Sequence, residues 1–178
     1  MKLVANKKLN LDSIKIVIFD FDDTLAIHKD RDYAKRRIKD DNIYLDYCLK
    51  AYLNPEIFYE TIEPCLVMES LQKFIKICEK SNIKMYCVSK LKFSFNLKAK
   101  QAFVHKHYST NIEVISSGTQ ELKCEAVKII QRIKKCDLNE ILFVDDMKDN
   151  IIRFKNMGIY ALLPEEVDKL IINMKDEG

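Results

Sequence analysis

Two clusters of carboxylates lie where apolar runs end. Asp20, Asp22 and Asp23 follow the run Ile16, Val17, Ile18, Phe19, and Asp145 and Asp146 follow a second run at 141–144. Crowded acids repel one another and seek water, so they belong beyond a buried strand, not within it. An unbroken apolar run rich in β-branched residues reads as a strand covered on both faces, as in a parallel sheet. Open α/β sheets place their chemistry at the carboxyl ends of such strands. If the two runs are neighbours in one sheet, their acids converge on one site. Taken singly, each cluster is also what an acidic turn or a helix N-cap looks like.

The longer string KIVIFDFDDTL, Lys15 to Leu25, is more specific. It resembles the first motif of the haloacid dehalogenase (HAD) superfamily, an apolar strand followed by Asp-x-Asp-x-Thr. Further features fall in the order that superfamily uses. Ser89 ends a second strand, Lys123 begins a helix after a third, and Asp145-Asp146 ends a fourth. The resemblance implies a three-layer, Rossmann-like α/β fold with a central parallel sheet of about five strands flanked by helices. It also implies that the fourth strand lies beside the first.

The activity so implied is a phosphatase-type hydrolysis. Asp20 is the expected nucleophile, Asp22 the acid and base, and Lys123 the lysine that neutralises charge on Asp20 and the phosphoryl group. Ser89 and the amide of Lys90 are expected to bind a phosphoryl oxygen, and Thr24 to fix the turn that positions Asp22. The implied cofactor is Mg²⁺, which offsets repulsion between a phosphate dianion and the carboxylates. Its expected ligands are Asp20, Asp146 and the backbone carbonyl of Asp22, with Asp145 as an additional or outer ligand; hard oxygen donors suit that ion. The chain departs from the superfamily pattern at four places. Asp23 stands where Gly is common, no Pro follows Lys123, Lys90 follows Ser89 where a smaller residue is usual, and Asn150 replaces a frequent acid. Asn150 or Asp149 is expected to take that acid's place.

The elements that must position these groups follow from periodicity. Strands are expected near 83–88, 112–115, 140–144 and 159–163, besides the first at 16–19. Helices are expected from Pro64 through Cys78, then over 97–105, 123–135, 149–157 and 165–174. In the 123–135 helix Ala126, Val127, Ile130 and Ile133 should face inward, and Gly158 should end the next helix. Strands alternating with helices imply right-handed crossovers. Residues 27–63 read as a small, mainly helical insertion, with a charged start (28–41), an apolar helix over 43–53 and a stop at Asn54-Pro55. The core is then 1–26 with 64–178, and residues 1–13 are a polar lead-in.

Length and composition fit one well-buried domain: 178 residues, 48% hydrophobic, 32% charged, net charge +3. That charge is too small to imply a polyanionic partner by itself. No apolar run approaches the roughly 20 residues of a membrane span, and the first residues lack a signal-peptide core. The six cysteines form no Cys-x-x-Cys pair, and read as reduced core residues of a cytoplasmic protein. A small phosphorylated molecule is the expected substrate. The small insertion leaves the site rather open, which admits larger substrates or an oligomeric partner as lid. Seven lysines without an acid between Lys80 and Ile112, interleaved with aromatics, leave a nucleic-acid end phosphatase as one alternative. A solvated helix face with core aromatics is the simpler explanation. A non-catalytic phosphoacceptor on a similar sheet is the other alternative, although receivers place their acidic pair before the phosphoacceptor strand. His105 and His107 read as surface residues, His28 as a turn residue or, so close to the motif, one that faces the substrate, and Arg36-Arg37 as a pair able to meet an anion.

Overall fold

Ile16, Val17, Ile18 and Phe19 form β1 (Ile16–Phe19), and all four side chains are buried. The computed structural model describes residues 9–91 and 94–176. On one side β1 pairs in parallel with β4 (Lys84–Ser89), from Ile16↔Lys84 to Phe19↔Cys87. On the other it pairs in parallel with β6 (Ile141–Val144), from Ile16↔Ile141 to Phe19↔Val144. Parallel strands β5 (Ile112–Ser116) and β7 (Tyr160–Leu162) complete the sheet, in the order β5-β4-β1-β6-β7. The sheet of five parallel strands and the adjacency of the first and fourth core strands are therefore as expected.

Successive strand residues face opposite ways, so β1 feeds two cores. Val17 and Phe19 join the face covered by α3 (Glu69–Lys80), α4 (Leu97–His107) and α7 (Val167–Asp176). Ile16 and Ile18 join the face covered by α5 (Gln120–Lys134) and α6 (Lys148–Asn156). A strand with helices on both faces has no solvent side, which is why its sequence is apolar throughout. Gly158, at φ +89°, follows the end of α6 in the left-handed conformation that glycine adopts without strain. Among the described residues no helix is long and apolar enough to cross a membrane.

Between β1 and α3 the chain makes an excursion. β2 (Ile27–His28) leaves the core and β3 (Cys65–Leu66) returns, paired antiparallel as Ile27↔Leu66 and His28↔Cys65. Between them lie α1 (Arg31–Lys39), α2 (Asp41–Leu53) and one π-helical turn, Phe58–Ile62. Asp30 caps α1 by accepting the Tyr33 N–H, and Asp40 caps α2 by accepting the N–H groups of Asn42 and Ile43. Buried Tyr47, Phe58 and Tyr59 turn inward. The Tyr59 ring packs on Phe21 at 5.0 Å and on Phe103 at 5.6 Å between centroids. A single phenol ties the base of the excursion: Tyr108 Oη donates to Leu25 O at 2.6 Å and accepts the Met68 N–H at 3.0 Å.

Several expectations change. Pro64 does not open a helix. Cys65 and Leu66 find backbone partners in β2 instead, and α3 begins at Glu69. The charged segment after His28 contains a helix, α1, because its caps come from aspartates and not from an apolar stripe. Helix α5 begins three residues before Lys123, with Thr119 accepting the Leu122 N–H as its cap. Val127 and Ile130 are buried as expected, but Ile133 is 68% exposed because it overhangs the outer edge of the stripe. Lys92, Phe93 and the Arg37 side chain lie outside the described residues.

Phe143 sits in β6 with its ring stacked on Phe154 of α6, centroids 4.0 Å apart. Phe143→Ala is expected to destabilise the fold by about 3–5 kcal/mol, since it opens a cavity between sheet and helix. Urea unfolding of the variant beside the parent measures it.

Candidate active site

Asp20 follows β1 directly, and its N–H donates to Val144 O across the strand pair at 2.9 Å. The next residues turn tightly, with the N–H groups of Leu25 and Ala26 both donating to Phe21 O. Asp23 takes a left-handed conformation, φ +53°; aspartate is one of the few residues that tolerates it. Thr24 is fully buried and its Oγ1 accepts the Asp146 N–H at 3.1 Å. Thr24 thus clamps the first acidic turn to the second.

The clamp gathers one group of charges. Carboxylate oxygens of Asp20, Asp145 and Asp146 lie within 4.8 Å of one another. Lys123 is buried, and its Nζ bridges Asp20 Oδ1 and Asp145 Oδ2, each at 2.8 Å. Asp145 is held by two further groups. Its Oδ1 accepts the Met147 N–H, and Asn150 Nδ2 lies 2.9 Å from both carboxylate oxygens. Of the two candidates to replace the missing acid, Asn150 is buried on Asp145 and Asp149 is exposed.

The electrostatics describe a cluster short of positive charge. Burial raises the Asp20 carboxyl above its ordinary range, repulsion from Asp145 and Asp22 adds to that, and Lys123 opposes it. Burial, with Asp20 and Asp145 nearby, pushes the Asp146 carboxyl up to about 7. For Lys123, burial works against the charge, but Asp20 and Asp145 outweigh it and hold the ammonium above the ordinary lysine value. Three carboxylates around one ammonium form an oxygen-rich pocket that suits a hard divalent cation.

A second group of charges surrounds Asp22. Lys100 Nζ lies 2.5 Å from Asp22 Oδ2 and 2.8 Å from the Oγ of buried Ser89. The same ammonium sits 4.2 Å from the centre of the Phe21 ring. His28 Nε2 lies 3.0 Å from Asp22 Oδ1, and its Nδ1 lies 3.2 Å from Glu63 Oε1 and 3.4 Å from Cys65 Sγ. Burial opposes the imidazolium, yet hydrogen bonds with Asp22, Cys65 and Glu63 push its pKa up to about 11.

Of the residues singled out in the sequence, Asp20, Asp22, Thr24, Ser89, Lys123, Asp145 and Asp146 lie in or between these two adjoining clusters. Lys90 is exposed. Three residues were misjudged or missed. His28 is not a plain turn residue; it is buried between two carboxylates. Lys100 is not part of a solvated face, being 1% exposed. Its position three and four residues before buried Phe103 and Val104 carried that signal. Glu63 had no local signal, because its partner comes from the other leg of the excursion. His105 and His107 lie outside both clusters, one near Ile112 O and the other paired with Glu60.

No protein-family model matches the chain. No curated protein matches it either. Solved structures do. A protein termed a predicted HAD-like family hydrolase, from Porphyromonas gingivalis, superposes with a TM-score of 0.55 at 16% identity, over 85% of this chain and 91% of that one. A phospho-aspartyl intermediate analogue of phosphoserine phosphatase gives 0.52 at 15% identity, over 80% and 82%. The fold is a HAD fold. A HAD family enzyme from Bacteroides thetaiotaomicron, solved as a magnesium complex, gives 0.51 at 18% identity, over 85% and 93%. Within the HAD fold, the acids of this chain occupy the carboxyl ends of the two central strands, β1 and β6.

The shifted carboxyl of Asp146 has a stability consequence. It titrates near 7 in the folded chain, against an ordinary 3.8. Between those values the folded state keeps a proton that the unfolded state has lost, so stability falls as pH rises through the window. Asp20, also raised, contributes with the same sign. Partial exposure of Asp146 moderates the size. Thermal melts of metal-free protein in chelator should show a lower midpoint at about pH 8 than at about pH 5, and Asp146→Asn should flatten that slope. Millimolar Mg²⁺ should raise the midpoint of the parent at the higher pH, as binding to the folded state requires.

Proposed function

We propose that this chain is a Mg²⁺-dependent phosphomonoester hydrolase that works through an aspartyl phosphate on Asp20. The observation that carries the reading is the convergence of Asp20, Asp145 and Asp146 within 4.8 Å, with Lys123 bridging two of them. Neighbours of the same fold, one solved as a magnesium complex and one as a phospho-aspartyl intermediate analogue, support it.

Asp20 and Asp146, with the backbone carbonyl of Asp22, would hold the ion. Asp145 is tied to Lys123, Asn150 and the Met147 amide, and orders the pocket around it. When bound, the ion supplies charge neutralisation and orients the phosphoryl group. Asp20 attacks phosphorus as the ester oxygen departs, and Asp22, having taken up the proton that a phosphomonoester monoanion brings, gives it to that oxygen. Asp22 then takes a proton from the water that attacks the aspartyl phosphate, which regenerates Asp20 and frees phosphate. Splitting one displacement into two is the advantage of a covalent nucleophile. Lys123 balances charge on Asp20 throughout, and Ser89 Oγ with the Lys90 amide offers donors to a phosphoryl oxygen.

The substrate in this reading is a small phosphorylated molecule. Residues 27–63 act as a small cap on a core of 1–26 and 64–178, with Tyr59 and Phe58 packed beside the first acidic turn.

Asp20→Asn should reduce Mg²⁺-dependent phosphate release from 4-nitrophenyl phosphate to background, while far-ultraviolet circular dichroism stays that of the parent. Turnover retained in that variant would rule out Asp20 as nucleophile.

A further inference from the structure

We propose that Lys100 and His28 are positioning residues for Asp22, and that Glu63 links them to the excursion of residues 27–66. The proposal rests on the reading of Asp22 as the acid–base group. Its own ground is geometric. Each oxygen of the Asp22 carboxylate faces a different nitrogen, Lys100 Nζ at 2.5 Å and His28 Nε2 at 3.0 Å. The two come from separate parts of the molecule, α4 of the core and β2 at the root of the excursion. A short carboxylate held at one oxygen still rotates; held at both, its plane is fixed.

Lys100 does more than hold Asp22. The same ammonium donates to Ser89 Oγ at 2.8 Å. It therefore sets the spacing between a phosphate-binding hydroxyl and the acid–base carboxylate, the two groups that flank the ester oxygen in the proposed reaction. Misplacement of such groups by about 1 Å typically costs on the order of 10²-fold in rate. Lys123 serves the other side, on Asp20 and Asp145. The two buried lysines thus divide the site between nucleophile and acid–base group.

On the His28 side the linkage continues outward. His28 Nδ1 faces Glu63 Oε1 at 3.2 Å. With a carboxylate on each ring nitrogen, both nitrogens carry hydrogen. His28 lies opposite Cys65 in the β2–β3 pair, and Glu63 lies just before that pair on the returning leg. Both legs of the excursion therefore meet at one imidazole, which touches Asp22. Seating of residues 27–66 sets the orientation of the acid–base group.

Lys100, His28 and Glu63 are 1%, 3% and 7% exposed. Desolvation opposes each of these charges, and removal of one member of the network leaves its partner uncompensated. The Phe21 ring beneath the Lys100 ammonium offsets only part of that cost.

The test uses the leaving group. An alkyl phosphate such as 2-glycerophosphate needs its departing oxygen protonated; 4-nitrophenyl phosphate does not. Asp22→Asn is the reference and should lose the alkyl ester selectively. Lys100→Met should lower kcat for the alkyl ester at least ~10-fold more than for the aryl ester, within the usual range of acid–base contributions, with KM changed less than about threefold. Lys100→Met takes one partner from Asp22 and should lower the melting temperature of the metal-free protein, so the ester selectivity of the folded variant is the deciding readout. His28→Ala should show the same selectivity, and His28→Gln, which keeps an N–H donor, should recover part of it. Where Lys100→Met does not fold, Lys100→Gln and Glu63→Gln carry the same comparison. Equal losses on both esters, or none, beside an inactive Asp20→Asn would overturn the positioning roles while leaving the phosphatase reading intact. Turnover by Asp20→Asn, or no selectivity in Asp22→Asn, would overturn that reading and the proposal with it.

Discussion

The parallel pairing of β1 with β6 is the constraint on which the site depends. Its register, Phe19↔Val144, sets Asp20 and Asp145 side by side at the point where both strands leave the core. Nothing in the preceding strand residues offers a polar group, since both faces are covered by helices. All the polarity of these two central strands is therefore delivered at one end. The Thr24–Asp146 contact then locks the two following turns together. A slip of one residue in either strand would turn every side chain to the opposite face and separate the acids.

Concentrating acids in this way creates a debt of positive charge, and the chain meets it with two buried lysines from different helices. Lys123 reaches in from the first turn of α5 and Lys100 from the first turn of α4. Each bridges two partners: Lys123 joins two carboxylates, and Lys100 joins the Asp22 carboxylate to the Ser89 hydroxyl. The Asp20–Asp145–Asp146 cluster still lacks charge after Lys123 is counted, as the raised carboxyls of Asp20 and Asp146 record. The Asp22 cluster is different in kind. There Lys100, His28 and Glu63 alternate in sign around Asp22 and close the balance within the protein. The division explains why a hard cation fits one cluster, while side chains alone complete the other.

Much of this was legible in the sequence because it lies in local periodicity. The apolar run at 16–19 could only be a strand buried on both faces, and the acids after it could only sit at its end. The stripe on α3 and the Gly158 stop after α6 were equally local. What escaped was set by distant partners. Cys65 and Leu66 look like the start of a helix after Pro64 until Ile27 and His28 are brought alongside. Lys100 looks like one of seven solvated lysines until Asp22 and Ser89 are seen at its tip. His28 and Glu63 carry no mutual pattern along the chain, and only the antiparallel pairing of β2 with β3 brings them together. The charged segment 28–41 lay within the stretch read as mainly helical, and α1 starts there on the Asp30 cap.

Tyr108 bears on how the segment beyond it can move. One phenolic oxygen holds Leu25, two residues before the outward leg begins at Ile27, and Met68, two residues after the inward leg ends at Leu66. Both ends are thus riveted to the same point of α4's C-terminal edge. Swinging of α1 and α2 relative to the sheet must take place about an axle beyond that rivet, with β2 and β3 travelling as one arm. His28 rides on that arm, so the angle of the arm is transmitted directly to the carboxylate it grips.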